Sequence, residues 1–315
     1  MDVIIVCHTE FGYVKGKEVI FDKSHTEGVS WGTKNLVKLA AKYGAKITFA
    51  VAPEAAPFFP KNTGHQIGLH VHPGWEEFSH DNIRWFVGDQ YLRQNCSIDK
   101  KSTALKDYTY DEQFELISKA KERIFEILNV EPEVFVAGRW SLNQDTIRVL
   151  SKIGIAYECS ALPSRKLPQV DWSKLPRLCM PYNPAKDDYQ KKGFLPLTII
   201  PVSQTWLAGE ANPERTVVYG LPWLKACFKE YYYSNAPVFH IALHSPSMTN
   251  DYFIELFEDF FSFIRQYHDI QFKFATEIKP FNKNNLKQSI APYLNAMNIT
   301  LLKSIINKII SRSNL

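Results

Sequence analysis

"VFVAGRWSLNQDTIRVLSKIGIAYECS", residues 134–160, contains a β-branched apolar run (Val134–Ala137), a stretch of helical period (about 143–153) and a second short run (Ile155–Cys159). Strand, helix and strand in succession form the βα pattern of a parallel sheet or barrel. The alternation extends outward in both directions. Further candidate strands are Val3–Cys7, Lys46–Val51, Gln66–Val71, Leu197–Val202, Val238–Leu243 and Gln271–Ala275, and further candidate helices cover about 30–43, 111–129, 249–267 and 285–311. The helix at 111–129 opens after Thr109 with Asp111 and Glu112 in its first turn, where carboxylates suit the positive end of the helix dipole. The fold class read from this order is α/β.

Three stretches resist the alternation: 9–29, 73–109 and 160–196. The third carries Pro163, Pro168, Pro176, Pro181, Pro184 and Pro196, so no long regular element fits there. Long segments leaving the carboxyl ends of strands usually build the site of an α/β fold. All three follow a strand and are expected to wall a substrate cleft.

Composition narrows the function classes. With 315 residues, 45% apolar and 14% aromatic, the chain can bury a large core. Its net charge of +4 is small and its Lys and Arg residues are scattered, which argues against nucleic acid as a partner. No stretch reaches the roughly 18–20 apolar residues of a membrane-spanning helix. Cys7, Cys96, Cys159, Cys179 and Cys227 are odd in number and never form a C-x-x-C pair, so buried thiols are expected rather than disulfides or a thiolate metal site. The opening MDVIIVCHTE has an acidic second residue and an apolar run too short for a signal-peptide core, so a cytoplasmic location is expected. Near the other end, Ile299, Leu302, Ile305, Ile306, Ile309 and Ile310 recur at helical spacing with Lys303, Lys308 and Arg312 between them. That helix either docks on the domain or a partner subunit, or lies peripherally on the inner face of the membrane, where it would suit a lipid-linked substrate.

Chemistry concentrates at three strand ends. Residues two apart in a strand share a face, so His70 and His72 of "GHQIGLHVHPGW" (64–75) project together. "VCHTEF" places His8 and Glu10 on a common side if the extended backbone continues, and "FHIALHSP" does so for His240 and His244, of which His240 is the weaker candidate. Two imidazoles and a carboxylate are a common set for a catalytic divalent metal. Trp75, Trp85, Phe86, Trp140, Trp172 and Trp206 lie in or beside the irregular stretches, and flat apolar rings suit the faces of pyranoses.

In order, "CHTEF", "GHQIGLHVHPGW", "VFVAGRWSLNQDTIRVLSKIGIAYECSALP" and "FHIALHSPSM" resemble the NodB-homology polysaccharide deacetylases of the carbohydrate esterase family 4 type, in a diverged branch. The resemblance runs over about residues 1–278. It implies a distorted (β/α)7-type barrel, expected over residues 1–280, while the helical spacing near the end of the sequence is read as an amphipathic extension over 281–315. It also implies a divalent metal at the carboxyl ends of the strands, Zn2+ first, with Co2+, Ni2+ or Mn2+ as alternatives. Carried over residue by residue, Glu10 and His70 match metal ligands, and His72 matches the second ligand histidine at a shorter spacing than the family's. Arg139 matches the arginine that orients the base, and His244 the histidine that protonates the leaving amine. Trp75 and Trp140 are the candidate substrate contacts. The family's adjacent Asp-Asp pair is here His8-Thr9-Glu10. Three readings stay open: His8 replaces the base, Glu10 is the base while His8 joins the metal, or the base is lost. Asp145 and Glu158 are spare carboxylates near the matched motifs, ranked no higher than His8.

The activity implied is metal-dependent hydrolysis of an N-acyl group, N-acetyl first, on a sugar, an oligosaccharide or a lipid- or nucleotide-linked sugar, in surface polysaccharide or glycoconjugate biosynthesis. Two rivals stand beside it. One is a sugar-binding protein on the same fold whose chemistry has decayed, and the other is an amidohydrolase or deformylase acting on another small C–N amide.

Overall fold

The main sheet in this computed structural model starts in the chain with β1 (Asp2–Thr9), with Val3 to Thr9 buried. The structure describes residues 1–74, 76–80, 83–207, 209–281 and 286–297, with the backbone alone for 76–80 and 83–87. The other strands of the sheet are β2 (Ile47–Val51), β3 (Gln66–Val71), β4 (Val134–Ala137), β5 (Tyr157–Glu158), β6 (Thr198–Ile199), β7 (Val238–His244) and β8 (Gln271–Lys273). They run in the order β6-β5-β4-β3-β2-β1-β7, every pair parallel. One side of β1 pairs with β7 along its length, from Asp2–Val238 to His8–His244. Its other side is shared: β8 takes Asp2–Ile4 and β2 takes Ile5–Thr9. The outer edges curl toward each other through irregular backbone, with Ser203 N–H donating to the His240 carbonyl and Ala242 N–H to that of Ala211, each at 3.1 Å. All eight strands expected from the sequence are present, and the α/β barrel-type architecture holds.

A parallel sheet buried on both faces needs apolar residues at nearly every strand position. Alternate side chains then divide between two cores. Ile4, Val6, Ala50, Val134, Val136, Cys159, Ile200 and Val238 form an inner cluster. Val3, Ile5, Ile47, Phe49, Leu69 and Phe135 belong to the larger cluster beneath the helices. His8 continues the inward parity of Ile4 and Val6, and His244 that of Val238. The imidazoles therefore gather at the carboxyl-end mouth of the sheet because of strand parity.

The principal helices are α1 (Thr33–Tyr43), α2 (Tyr110–Leu128), α3 (Gln144–Lys152), α4 (Leu221–Tyr233) and α5 (Asp251–Ile264). α2 starts where the carboxylates placed it: the Thr109 hydroxyl accepts from Glu112 N–H, and the Glu112 carboxylate accepts from Thr109 N–H at 2.7 Å. α4 was not legible in the sequence. It buries Trp223, Leu224, Cys227, Phe228, Glu230 and Tyr231, residues spread around the cylinder rather than along one stripe.

All three irregular stretches contain structure of their own, in the third a short antiparallel pair, Lys166–Leu167 with Val170–Asp171. Short strands Tyr13–Lys15, Glu18–Phe21, Glu76–His80 and Ile83–Val87 make a separate four-stranded sheet in which Glu18–Phe21 runs parallel to Ile83–Val87. The third stretch packs elsewhere. Within it Trp172 is wholly buried against Tyr189, and Arg177 forms a two-pronged ion pair with the fully buried Glu230, at 2.8 and 2.5 Å. Removing the guanidinium would strand that carboxylate, so Arg177→Ala should cost about 3–5 kcal/mol. Denaturant unfolding checks this, and a loss below about 1 kcal/mol would contradict it.

Of the helix expected over 285–311, the described residues 286–297 contain only the turn Ala291–Leu294. Its Tyr293 is buried on Trp223, ring centroids 4.6 Å apart, and donates its hydroxyl to Glu230 Oε2 at 3.0 Å. The start of the extension is thus docked on α4, while Ile299–Arg312 lies outside the described residues. Among the described residues, no helix is long and apolar enough to cross a membrane. All five cysteines are free thiols.

Candidate metal and catalytic centre

Glu10 follows directly after β1. Its backbone N–H donates to Ser245 Oγ at 3.2 Å, which ties the end of β1 to the end of β7. From there its carboxylate meets both histidines that follow from β3: His70 Nε2 lies 2.5 Å and His72 Nε2 3.3 Å from Glu10 Oε1. His70 Nδ1 is 3.0 Å from the Val136 carbonyl, an acceptor only, so Nδ1 carries the proton and Nε2 offers its lone pair to the centre. One donor atom from each of Glu10, His70 and His72 lies within 4.8 Å of the others. Two imidazole nitrogens and a carboxylate oxygen converging on one point fit a divalent ion with a position left for water or substrate.

His70, His72 and His8 are buried, and Glu10 keeps 15% of its side chain exposed. Burial works to raise the Glu10 pKa, yet the flanking His72 and His70 outweigh it and hold the carboxyl well below its ordinary range. Burial lowers the His72 pKa despite Glu10. For His8, burial acts with the neighbouring His244 and His70 rings to push the value well below that of a free imidazole. His8 is thereby a neutral ring at ordinary pH, its centroid 4.8 Å from each of His70, His244 and Trp140.

On the opposite side, His244 is held by Glu214. The wholly buried carboxylate accepts His244 N–H at 2.6 Å and His244 Nδ1–H at 2.7 Å, which turns Nε2 away from it. Burial disfavours a charged ring, but the charge and hydrogen bond of Glu214 prevail and raise the His244 pKa. Two imidazoles of opposite tendency therefore face each other, one with its pKa pushed down and one with its pKa pushed up.

His72 is set by what lies beneath it. A Cβ at Gly138 would fall 2.4 Å from His72 Nδ1, so only glycine permits the ring to lie there. Gly138→Ala should displace His72 and lower turnover at least tenfold in a folded protein. Activity and near-ultraviolet circular dichroism check it; unchanged activity would contradict the packing argument. Immediately after, Arg139 (φ 54°) and Trp140 (φ 60°) both adopt left-handed backbone, at about 1–3 kcal/mol each. This kink sets the Trp140 ring edge-on beside His8. Arg139 Nη1 donates to Thr103 Oγ1 at 2.7 Å.

A small cleft opens over Glu10 and His72, walled by Phe11, Phe21, Lys23, Glu54 and Asp89 among others. Its wall comes from the first two irregular stretches and the loop after β2. The third, 160–196, contributes no lining residue to this cleft, contrary to expectation.

Among solved structures the chain resembles an allantoinase, PuuE, at 15% identity and a TM-score of 0.57, with 88% of each chain covered. A protein of Pseudomonas aeruginosa PAO1, provisionally named a polysaccharide deacetylase, matches at 16% identity and a TM-score of 0.57, again over 88% of each chain. One from Mycobacterium smegmatis, provisionally named likewise, matches at 12% identity and a TM-score of 0.53 over 91% of this chain and 94% of its own. The chain has the polysaccharide-deacetylase fold. No protein-family model matches the chain, and no curated protein does.

On this deacetylase fold His8, Glu10, His70, His72 and His244 come together from β1, β3 and β7, the three strand ends singled out in the sequence. His240 does not join them. It is fully buried one layer below, with Nδ1 3.1 Å from the Ile200 carbonyl. Glu158 is buried too, its Oε1 accepting Ser160 N–H at 2.5 Å, and burial raises its pKa to about 7. Asp145 is tied to Arg148 at 3.1 Å on α3. Trp140 is buried under His8 rather than presented as an open stacking face. Trp172 is core, and Trp206 stacks on Trp223 at 6.1 Å. Trp75 lies outside the described residues, as do the side chains of Trp85 and Phe86. The aromatic walls that the cleft does show are Phe21 and Phe11, the latter with the half-exposed Phe58 edge-on at 5.5 Å.

Sequence reasoning missed Glu214 altogether. It sits in the turn Pro213–Arg215, in a region with no periodicity, and the one available hint was a lone carboxylate after Asn-Pro. It also missed Glu54 and Asp89. Burial, then Glu54, raises Asp89 to about 7, and Lys23 lies 3.3 Å from Glu54 Oε2.

Proposed function

We propose that this protein is a metal-dependent hydrolase that removes an N-acyl group, N-acetyl first, from a sugar or oligosaccharide. The observation that carries the reading is the convergence of His70 Nε2 and His72 Nε2 on Glu10 Oε1 at the mouth of the sheet. A divalent ion held by these three supplies Lewis-acid polarisation of an amide carbonyl and a lowered pKa for water. The rest of the chemistry belongs to the chain.

Glu10 is engaged by both histidines, so it acts as a ligand. That leaves His8 as the group able to take a proton from water: it is neutral, and its Nε2 has no hydrogen-bond partner among the described residues. His244, oriented by Glu214 and with its protonated form favoured by that carboxylate, gives its proton to the departing nitrogen, which is too basic to leave as an anion. Each such transfer contributes about 10²–10⁴-fold. Trp140 and Phe21 pack on His8 and His244, with centroids 4.8 and 5.1 Å away, and limit the water around both rings. Phe11 at the cleft wall gives the sugar an apolar face, and Lys23 with Glu54 gives it polar partners.

The test is product analysis. Incubated with N-acetylated oligosaccharides, the zinc-loaded protein should release acetate and free amine in equal amounts, lose that activity to a chelator and regain it with Zn2+ or Co2+. Formate from a small amide with no acetate from any sugar would contradict the substrate assignment.

A further inference from the structure

The donors at the mouth of the sheet form two sets, not one. His8, Glu10 and His244 also offer donor atoms within 4.8 Å of one another, separately from the set of Glu10, His70 and His72. Glu10 alone belongs to both. We propose that the centre takes a second divalent cation, bound by His8, His244 and the Glu10 carboxylate, which then bridges two ions.

Three observations carry this. The His8 side chain is 2% exposed, and its Nε2 has no hydrogen-bond partner among the described residues. A polar atom buried without a partner is costly, and a cation beside it removes the cost. His244 is held as metal-bound imidazoles are, with its Nδ1–H donated to the Glu214 carboxylate at 2.7 Å and Nε2 turned the other way. The third observation is charge. Asp22 and Glu54 line the same cleft as Glu10, against Lys23 in that lining, and the buried Glu214 carboxylate stands behind His244, so acidic groups flank the shared carboxylate and the second set.

The second ion differs from the first in consequence. It occupies the two imidazoles to which the proposed function gives the proton transfers, so filling this set suppresses turnover while the primary centre stays loaded. The site is therefore inhibitory, and excess metal is its ligand. The assignment rests on the primary centre of Glu10, His70 and His72, because the two share a carboxylate.

The experiment is zinc titration of chelator-stripped full-length protein, with bound metal counted per chain by elemental analysis, followed by Co2+ loading monitored by electron paramagnetic resonance. Wild type should bind two equivalents, the second at least tenfold more weakly, and activity should rise with the first and fall with the second. His8→Ala should keep the tight equivalent and lose the weak one. In wild type the second Co2+ should attenuate the resonance of the first through the shared carboxylate, a readout that does not depend on any variant folding. One equivalent only, abolished in His70→Ala/His72→Ala and unaffected by His8→Ala, would overturn the second ion and leave the primary centre standing. No bound metal in wild type would overturn both.

Discussion

Replacing Glu10 by alanine should reduce turnover by at least about 10³-fold and leave the chain folded. The carboxylate lies beyond the buried run of β1, keeps 15% of its side chain exposed and supports no core packing. Its work is to complete the donor set. Transition-state stabilisation by a held ion is worth several kcal/mol, and about 4 kcal/mol corresponds to about 10³ in rate. Acetate release gives the rate, and far-ultraviolet circular dichroism with thermal unfolding confirms the fold. Wild-type turnover in the variant would remove Glu10 from the mechanism. The same carboxylate leaves a signature on stability. Because its folded pKa is depressed, its ionised form stabilises the protein above the ordinary carboxylate range, and that contribution is lost as pH falls through the depressed value. In Glu10→Gln this acid-side dependence should vanish.

The second large effect is expected at Glu214. Glu214→Gln keeps the shape but removes the charge that holds the His244 proton, so the His244 pKa should fall below its wild-type value. An acid must be protonated to act, so wild-type activity should decline as pH rises through the raised His244 value. In the variant that decline should begin at lower pH, with kcat reduced about 10²-fold or more at neutral pH. The pH profile of kcat/KM checks it. An alkaline limb unmoved by the substitution would mean that His244 is not the acid. Stability follows the same sign: the His244–Glu214 pair contributes fully below the unfolded histidine value of about 6.5 and loses its contribution as pH rises through the folded one.

How much of this was legible in the sequence follows from the range of the forces involved. Strands β1 to β4 and β7 could be read because a buried parallel strand needs a continuous apolar run, and His8, His70 and His244 could be placed because side-chain parity at a strand end is local. The capped start of α2 was equally local. Glu214 was out of reach: its role depends on a contact with His244, thirty residues away, and its own neighbourhood has no period. The walls were misjudged for the same reason. Proline content correctly excluded long regular elements from 160–196, yet whether such a segment lines a cleft or packs a core depends on long-range partners, here Glu230 for Arg177 and Tyr189 for Trp172. The two consecutive left-handed residues at Arg139 and Trp140 had no sequence marker either, since neither is glycine.

A crystal of the zinc-soaked protein, measured on both sides of the zinc absorption edge, tests the central claim most directly. The expected result is an anomalous peak within coordination distance of Glu10 Oε1, His70 Nε2 and His72 Nε2. A fully soaked crystal with no peak among those three atoms would contradict it.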